Sequence, residues 1–314
     1  MYLKSVSIKN FRCFENLEVD FDRKVNLIAG INGSGKSTLL DAIALSLRIF
    51  FLRFDNPFVR VKGIEPRDTR VKAVRQGETE DVQFLFPVEL TAEADIDGKS
   101  IRWQRSKRSQ NGVTTFRQAM DLVSISEEYQ IRLRNFDTSL ILPFLGYYGT
   151  GRLWDYHREK KTAKGYVNTR TNGYADSLDG TSNIKFMLKW FRKKTYQNNS
   201  TVGLEPSRSV ELDTVYSAMA KCFQRLSQSA KRDGSSKSDA SILFEYNFDV
   251  DELDCVICEN GLKTRIQLSQ LSDGFRGIIS LVADIAYRMA VLNPALGSEI
   301  LEKTGGVVLI DEID

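Results

Sequence analysis

Gly30-Ile31-Asn32-Gly33-Ser34-Gly35-Lys36-Ser37, followed by Thr38, fills every fixed position of the pattern G-x-x-x-x-G-K-[ST]. Glycines let the backbone close around a bulky anion with its N–H groups turned inward. The turn opens a helix, whose positive amino-terminal end favours the same anion. A lysine here reaches the β- and γ-phosphates of a nucleoside triphosphate, and the hydroxyl after it suits Mg2+. Gly30, Asn32, Gly33, Ser34, Gly35, Lys36, Ser37 and Thr38 are therefore the candidate ATP-binding residues, with Ser37 also a candidate Mg2+ ligand and Lys36 a candidate catalytic group. Upstream, Val25 to Ala29 reads as a short apolar strand entering the turn. Downstream, Leu39, Leu40, Ile43, Ala44 and Leu47 share one helical face over Lys36 to Phe50. Strand, glycine turn and helix in that order predict an α/β fold.

A second element lies at the other end of the sequence. Val307-Val308-Leu309-Ile310 is an apolar strand that runs into Asp311-Glu312. An acid at the end of a buried strand fits the group that holds Mg2+ through water beside a phosphate loop, which makes Asp311 the second metal candidate. Glu312 stands where a general base would polarise attacking water. Alone the run is an ordinary strand and charged turn; beside the glycine loop it gains this reading. Asp314 reads as a solvated turn acid.

Between these ends, Tyr2 to Ile8 and Leu17 to Phe21 alternate as a hairpin. Phe54 to Glu80 reads as an irregular basic insertion. Val82 to Leu90 and Ser100 to Trp103 read as strands, with a turn at Asp97-Gly98. Met120 to Arg134 is predicted helical and Leu140 to Tyr148 a strand. Further helices are expected at Ile184 to Tyr196, Val210 to Ser227 and Gly274 to Leu292. Strands are expected at Ile242 to Phe248, Asp254 to Cys258 and Thr264 to Leu268, and Lys231 to Asp239 has linker composition. Three segments follow: an amino-terminal lobe over 1–150, a helical and basic insertion with linker over 151–240, and a carboxy-terminal lobe over 241–314.

Composition excludes several classes. The 314 residues carry 44 Lys+Arg against 41 Asp+Glu, a net charge of +3, which argues against a uniformly basic nucleic-acid coat. The single histidine, His157, cannot furnish a two-histidine metal site or an HNH nuclease centre. Four cysteines are too sparse for a disulfide scaffold and suit a reducing cytoplasm. Cys255 and Cys258 have C-x-x-C spacing without a second pair, and read as packing residues. No apolar run has the length of a membrane span, and no signal core is visible. Basic runs remain: Arg53 to Arg75, Arg102 to Arg117, Arg152 to Arg170 and Lys185 to Lys194, the last interleaved with Trp190 and Phe191. They suit a DNA or RNA backbone, or equally a solvated surface.

Leu271-Ser272-Asp273-Gly274, before a long apolar helix and the acidic strand, resembles the LSGGQ signature of ABC-type ATPases. Ile8-Lys9-Asn10-Phe11-Arg12-Cys13-Phe14 resembles the opening of the RecF/SMC-like branch. That resemblance implies an ABC-type ATPase head with a mixed sheet around the phosphate loop and a helix-rich basic insertion. It implies a homodimer, or higher oligomer, closed around ATP. Ser272, Asp273 and Gly274 of one copy would then face the nucleotide of another, and Arg12 would approach bound nucleotide. Four runs, Tyr147 to Trp154, Leu271 to Arg276, Asp284 to Met289 and Leu309 to Asp314, resemble bacterial AAA_21/AAA_23-type ATPases. That subgroup includes the PtuA ATPases of Septu and retron antiphage systems, which implies a separate nuclease of HNH type and a reverse transcriptase with its msDNA as partners. The family continues past the D-E-I-D run into a histidine-bearing segment, so the sequence reads as the front portion of a longer ATPase. A glutamine lining the nucleotide is not evident; Gln83 and Gln104 fit by type. Other readings stay open: a RecF-like repair ATPase, an overcoming-lysogenisation ATPase-nuclease with a TOPRIM domain beyond residue 314, and a nucleotide-binding scaffold with little turnover.

Overall fold

A computed structural model describes residues 1–59, 61–76, 79–149, 169–180, 184–200, 209–230, 241–259 and 261–312. The chain divides into two compact units, one of residues 1–152, 174–181 and 305–314, the other of 153–173 and 182–304. Residues 305–314 thus group with the amino-terminal residues and not with 241–304. The fold is α/β.

The first unit is built on an antiparallel sheet in the order β2-β1-β5-β6. Its strands are β1 (Tyr2–Phe11), β2 (Phe14–Asp20), β5 (Val88–Ile96) and β6 (Lys99–Lys107). Every second residue of β5, from Val88 through Leu90, Ala92 and Ala94 to Ile96, is buried, as a half-covered sheet requires. Helix α1 (Lys36–Leu47) packs here through Leu39, Leu40, Ile43, Ala44 and Leu47, the face expected from the sequence. Helix α2 (Met120–Arg134) spans the expected residues. Strand β7 (Phe144–Tyr148) pairs in parallel with β11 (Gly306–Ile310), Gly306 opposite Phe144 and Ile310 opposite Tyr148. Gly306 must be glycine: a Cβ there would stand 1.8 Å from the Phe144 carbonyl oxygen.

Three expectations need correction. Val25 to Ala29 is not a strand; Val25 and Leu27 are each 85% exposed, and among the described residues no strand takes up their backbone groups. Part of the expected irregular stretch is a hairpin of β3 (Val71–Gln76) and β4 (Thr79–Phe84). Its apolar residues Val71, Val82 and Phe84 are exposed, so no buried face marked it in the sequence. The Val82 to Leu90 strand is two strands, broken at Pro87, which has no N–H for a ladder.

The second unit wraps helices α3 (Ile184–Ser200), α4 (Val210–Ala230) and α5 (Asp273–Leu292) around a meander of β8 (Ser241–Asn247), β9 (Glu252–Glu259) and β10 (Leu262–Gln267). Phe191, Val215, Met219, Phe244, Leu253, Cys255, Ile279 and Ala283 fill its core. Cys255 packs there and Cys258 is half-buried, both as free thiols. Inside α5, Arg288 and Asp284 form a buried ion pair at 2.7 Å, and the guanidinium also donates to the Gly173 carbonyl. The short helix α6 (Ile300–Lys303) leads toward β11. His157 and the Lys231 to Asp239 linker lie outside the described residues.

Candidate nucleotide site

The glycine loop has the backbone that its sequence demands. Gly33 and Gly35 have φ of 82° and 99°, in the left-handed region that residues with a Cβ avoid. At Gly35 a Cβ would also lie 2.6 Å from the Phe14 ring. Gly35 caps α1 without a side-chain bond, and the first turn of the helix holds no acid. The opening N–H groups of a twelve-residue helix therefore carry their full partial positive charge. Asn32, Gly33, Ser34 and Ser37 are exposed, and Thr38 is half-buried. The Lys36 ammonium folds back over the loop and donates to the carbonyls of Gly30 at 2.7 Å and Ile31 at 3.0 Å.

The far end of α1 is locked. Trp103 Nε1 donates to Ser46 O at 2.9 Å, and Arg105 donates to Leu45 O, both from β6. Arg105 also reaches the Lys62 carbonyl at 2.6 Å. Burial, with the charge of Arg48 nearby, brings Arg105 down to about 10. Arg48, just past the helix, pairs with Asp179 and donates to the Leu178 carbonyl. Burial works to raise the Asp179 pKa, but Arg48 and Lys62 outweigh it and the carboxyl titrates low.

Asp311 follows β11, is buried, and its N–H donates to the Tyr148 carbonyl at 2.8 Å. Glu312 is exposed and has a φ of 50°, which turns it away from the strand direction. A buried tyrosine connects this end of β11 to α1. Burial raises the Tyr147 pKa, and so do Asp41, to which its hydroxyl is hydrogen-bonded, and the Asp311 carboxylate. Asp41 lies four residues after Ser37, on the same helical face. Asp311 and the Ser37 face of α1 therefore look onto one region of the first unit. Asp41 and Tyr147 are the members that sequence reasoning missed, and the i,i+4 spacing from Ser37 was the available signal for Asp41.

Arg12 sits at a φ of 48° and forks between two carboxylates. Nη1 donates to Asp41 at 2.5 Å, and Nε and Nη2 to Asp68 at 3.0 and 2.8 Å. The structure places it on α1 and on the turn at Pro66–Asp68, and none of these bonds is to the glycine loop. Gln104 donates to Thr91 in the sheet and Gln83 lies on β4.

Ser272, Asp273 and Gly274 are exposed at the start of α5, in the second unit. Ser272 occupies the cap position but makes no side-chain cap bond. Asp273 accepts from Arg276 Nη2 at 2.6 Å.

The donors suit magnesium by type: one hydroxyl at Ser37 and one carboxylate at Asp311, the hard oxygen set of an ion that keeps waters and shares substrate phosphates. Among the described residues no three His, Cys, Asp or Glu side chains gather into a metal cage. No helix among them is long and apolar enough to cross a membrane.

Residues 5–228 match the AAA_23 family, an AAA domain, and the chain belongs to that family. It is similar to the retron Vc95 probable ATPase of Vibrio cholerae serotype O1 biovar El Tor, with 23% identity over 99% of this chain and 64% of that protein. It is similar to the retron Ec83 probable ATPase of Escherichia coli, with 24% identity over 98% of this chain and 62% of that protein. The chain spans less than two thirds of the length of these two relatives. A solved SMC head domain from Thermotoga maritima aligns with a TM-score of 0.40 and 12% identity, over 99% of this chain and 89% of that one.

Proposed function

We propose that the protein binds ATP with Mg2+ at Gly30 to Thr38 and hydrolyses it at a site completed by a second copy. The observation that carries the reading is the opening of α1: left-handed glycines, an uncapped first turn without acids, and Tyr147, hydrogen-bonded to Asp41 of that helix and within the field of Asp311. Lys36 exchanges the carbonyls of Gly30 and Ile31 for the β- and γ-phosphates. Ser37 and Asp311 would hold the metal, Asp311 through water, and when bound it would supply positive charge against the phosphates. Glu312 polarises the attacking water, and its exposed position leaves room for one. Ser272 and Gly274 of the second copy meet the γ-phosphate at the open end of their helix.

The resemblance to retron ATPases supports a role in antiphage defence of the Septu or retron type. There the ATPase, closed around ATP as a dimer, restrains or licenses a separate HNH-type nuclease, with a reverse transcriptase and msDNA as further partners. The exposed cations of α3, Lys185, Lys189, Arg192 and Lys193, offer a face for DNA or RNA.

The test is turnover and assembly of the intact protein. Glu312→Gln should lower ATP turnover about a hundredfold or more while ATP binding persists and the dimer accumulates. Turnover that survives this change removes Glu312 from the mechanism. Purification with its genomic neighbours should recover a nuclease; DNA-stimulated turnover with no such partner would favour a repair ATPase instead.

A further inference from the structure

Asp273 presents a problem for the reading just given, on which this inference rests. Where the LSGGQ signature has glycine, this sequence places a carboxylate in the first turn of α5, 72% exposed. An acid there is favourable to its own helix, because it meets the positive end of the dipole. The same acid repels a triphosphate that must approach Ser272 and Gly274.

One turn later stands Arg276. Its Nη2 donates to Asp273 Oδ1 at 2.6 Å, and its Nη1 reaches the Ser269 carbonyl at 3.4 Å. Ser269 is itself anchored: its N–H and hydroxyl both donate to the Glu252 carboxylate, at 2.7 and 2.9 Å. The guanidinium therefore lies between a fixed carbonyl and the Asp273 side chain. It draws the carboxylate along the helix toward residue 276. Apart from its chain neighbours and its own helix, nothing lies within 4 Å of the position a Cβ would take on Gly274, and Ser272 makes no cap bond, so both stay open to a ligand.

We infer that Arg276 is a positioning residue of the signature. It neutralises Asp273 and holds its carboxylate aside, so that Ser272 and Gly274 can accept the γ-phosphate of ATP carried by a second copy of this chain. Its action is in trans, so it changes assembly and leaves a monomer's own nucleotide binding alone.

The experiment measures two quantities on the intact protein in the Glu312→Gln background: ATP affinity of the dilute monomer, and the ATP concentration giving half-maximal dimer by light scattering. Arg276→Ala should leave monomer affinity unchanged and raise the ATP needed for dimer by about fivefold, the effect of one uncompensated charge at a helix end. Arg276→Lys should stay near the parent. The double change Asp273→Asn with Arg276→Ala should restore the parent value, because no charge remains to neutralise. A dimer with the parent's ATP requirement in Arg276→Ala overturns this inference alone. So does a defect that the double change leaves uncorrected in protein whose monomer still binds ATP as the parent does. A parent protein that binds ATP yet never dimerises overturns the in-trans reading, and this inference with it.

Discussion

Helices α1 and α5, one in each unit, are built on one plan with one difference. Both begin without a side-chain cap, and both end on carbonyls held by an arginine from elsewhere in the sequence. For α1 the arginine is Arg105 on Leu45 O. For α5 it is Arg170, whose Nε donates to Leu292 O at 2.6 Å and whose Nη2 meets Asn293 at 3.1 Å. A cation at the carboxy end satisfies orphan carbonyls and opposes the dipole there, leaving the amino end as the exposed pole. The difference is in the opening turn. Helix α1 starts from left-handed Gly35 and folds a loop over its own N–H groups, which makes a cradle. Helix α5 starts from Ser272 in an extended conformation, with ψ of 151°, and projects outward. A cradle serves a ligand bound in cis; an outward end serves one brought by another molecule. Only the outward end carries an acid, and only there does an arginine neutralise it.

The largest break in this comparison should come from Lys36→Ala. It removes the one cation inside the cradle and should weaken monomer ATP binding on the order of a hundredfold, measured by isothermal titration. Ser272→Ala should leave that same affinity untouched. Next, the two carboxy-terminal locks should differ. Arg105→Met, at a buried position, strands the carbonyls of Leu45 and Lys62 and should cost about 2 kcal/mol in chemical denaturation. Arg170→Met, at a half-buried position, should cost about 1 kcal/mol. Equal losses would mean that burial does not separate the two caps. The smallest effect is also the most pointed. A capping serine changed to alanine usually costs about 1 kcal/mol, but Ser272 makes no cap bond, so Ser272→Ala should shift stability by less than about 0.5 kcal/mol. A full capping loss would show that the hydroxyl belongs to the helix and is not held open for a ligand.

Much of this was readable in advance, and the readable part has a common cause. Helix α2 over Met120–Arg134, helix α5 from the Ser-Asp-Gly turn, and strand β1 each bury one face, so their period is written in the residue order. The glycine loop was legible because its backbone angles admit few residue types. The exposed hairpin of β3 and β4 is not legible in the sequence because its alternation leads to no core. Val25 to Ala29 misled for the opposite reason: its residues look like a buried strand, and a strand exists only where a neighbour accepts its backbone bonds.

The sequence by itself determined the local devices: the cradle at Gly30 to Thr38, the acid pair at Asp311-Glu312, and the Ser272 turn. These rest on glycine torsions, helix ends and apolar period, which act over a few residues. Only the tertiary structure decided that Arg12 is forked between Asp41 and Asp68, that Tyr147 joins Asp41 to the neighbourhood of Asp311, and that Arg105 closes the far end of α1. Those contacts join residues 29 to 164 positions apart, and no short-range pattern encodes them. They arise because buried charges and carbonyls must each find a partner, and which partner is available depends on how the chain packs.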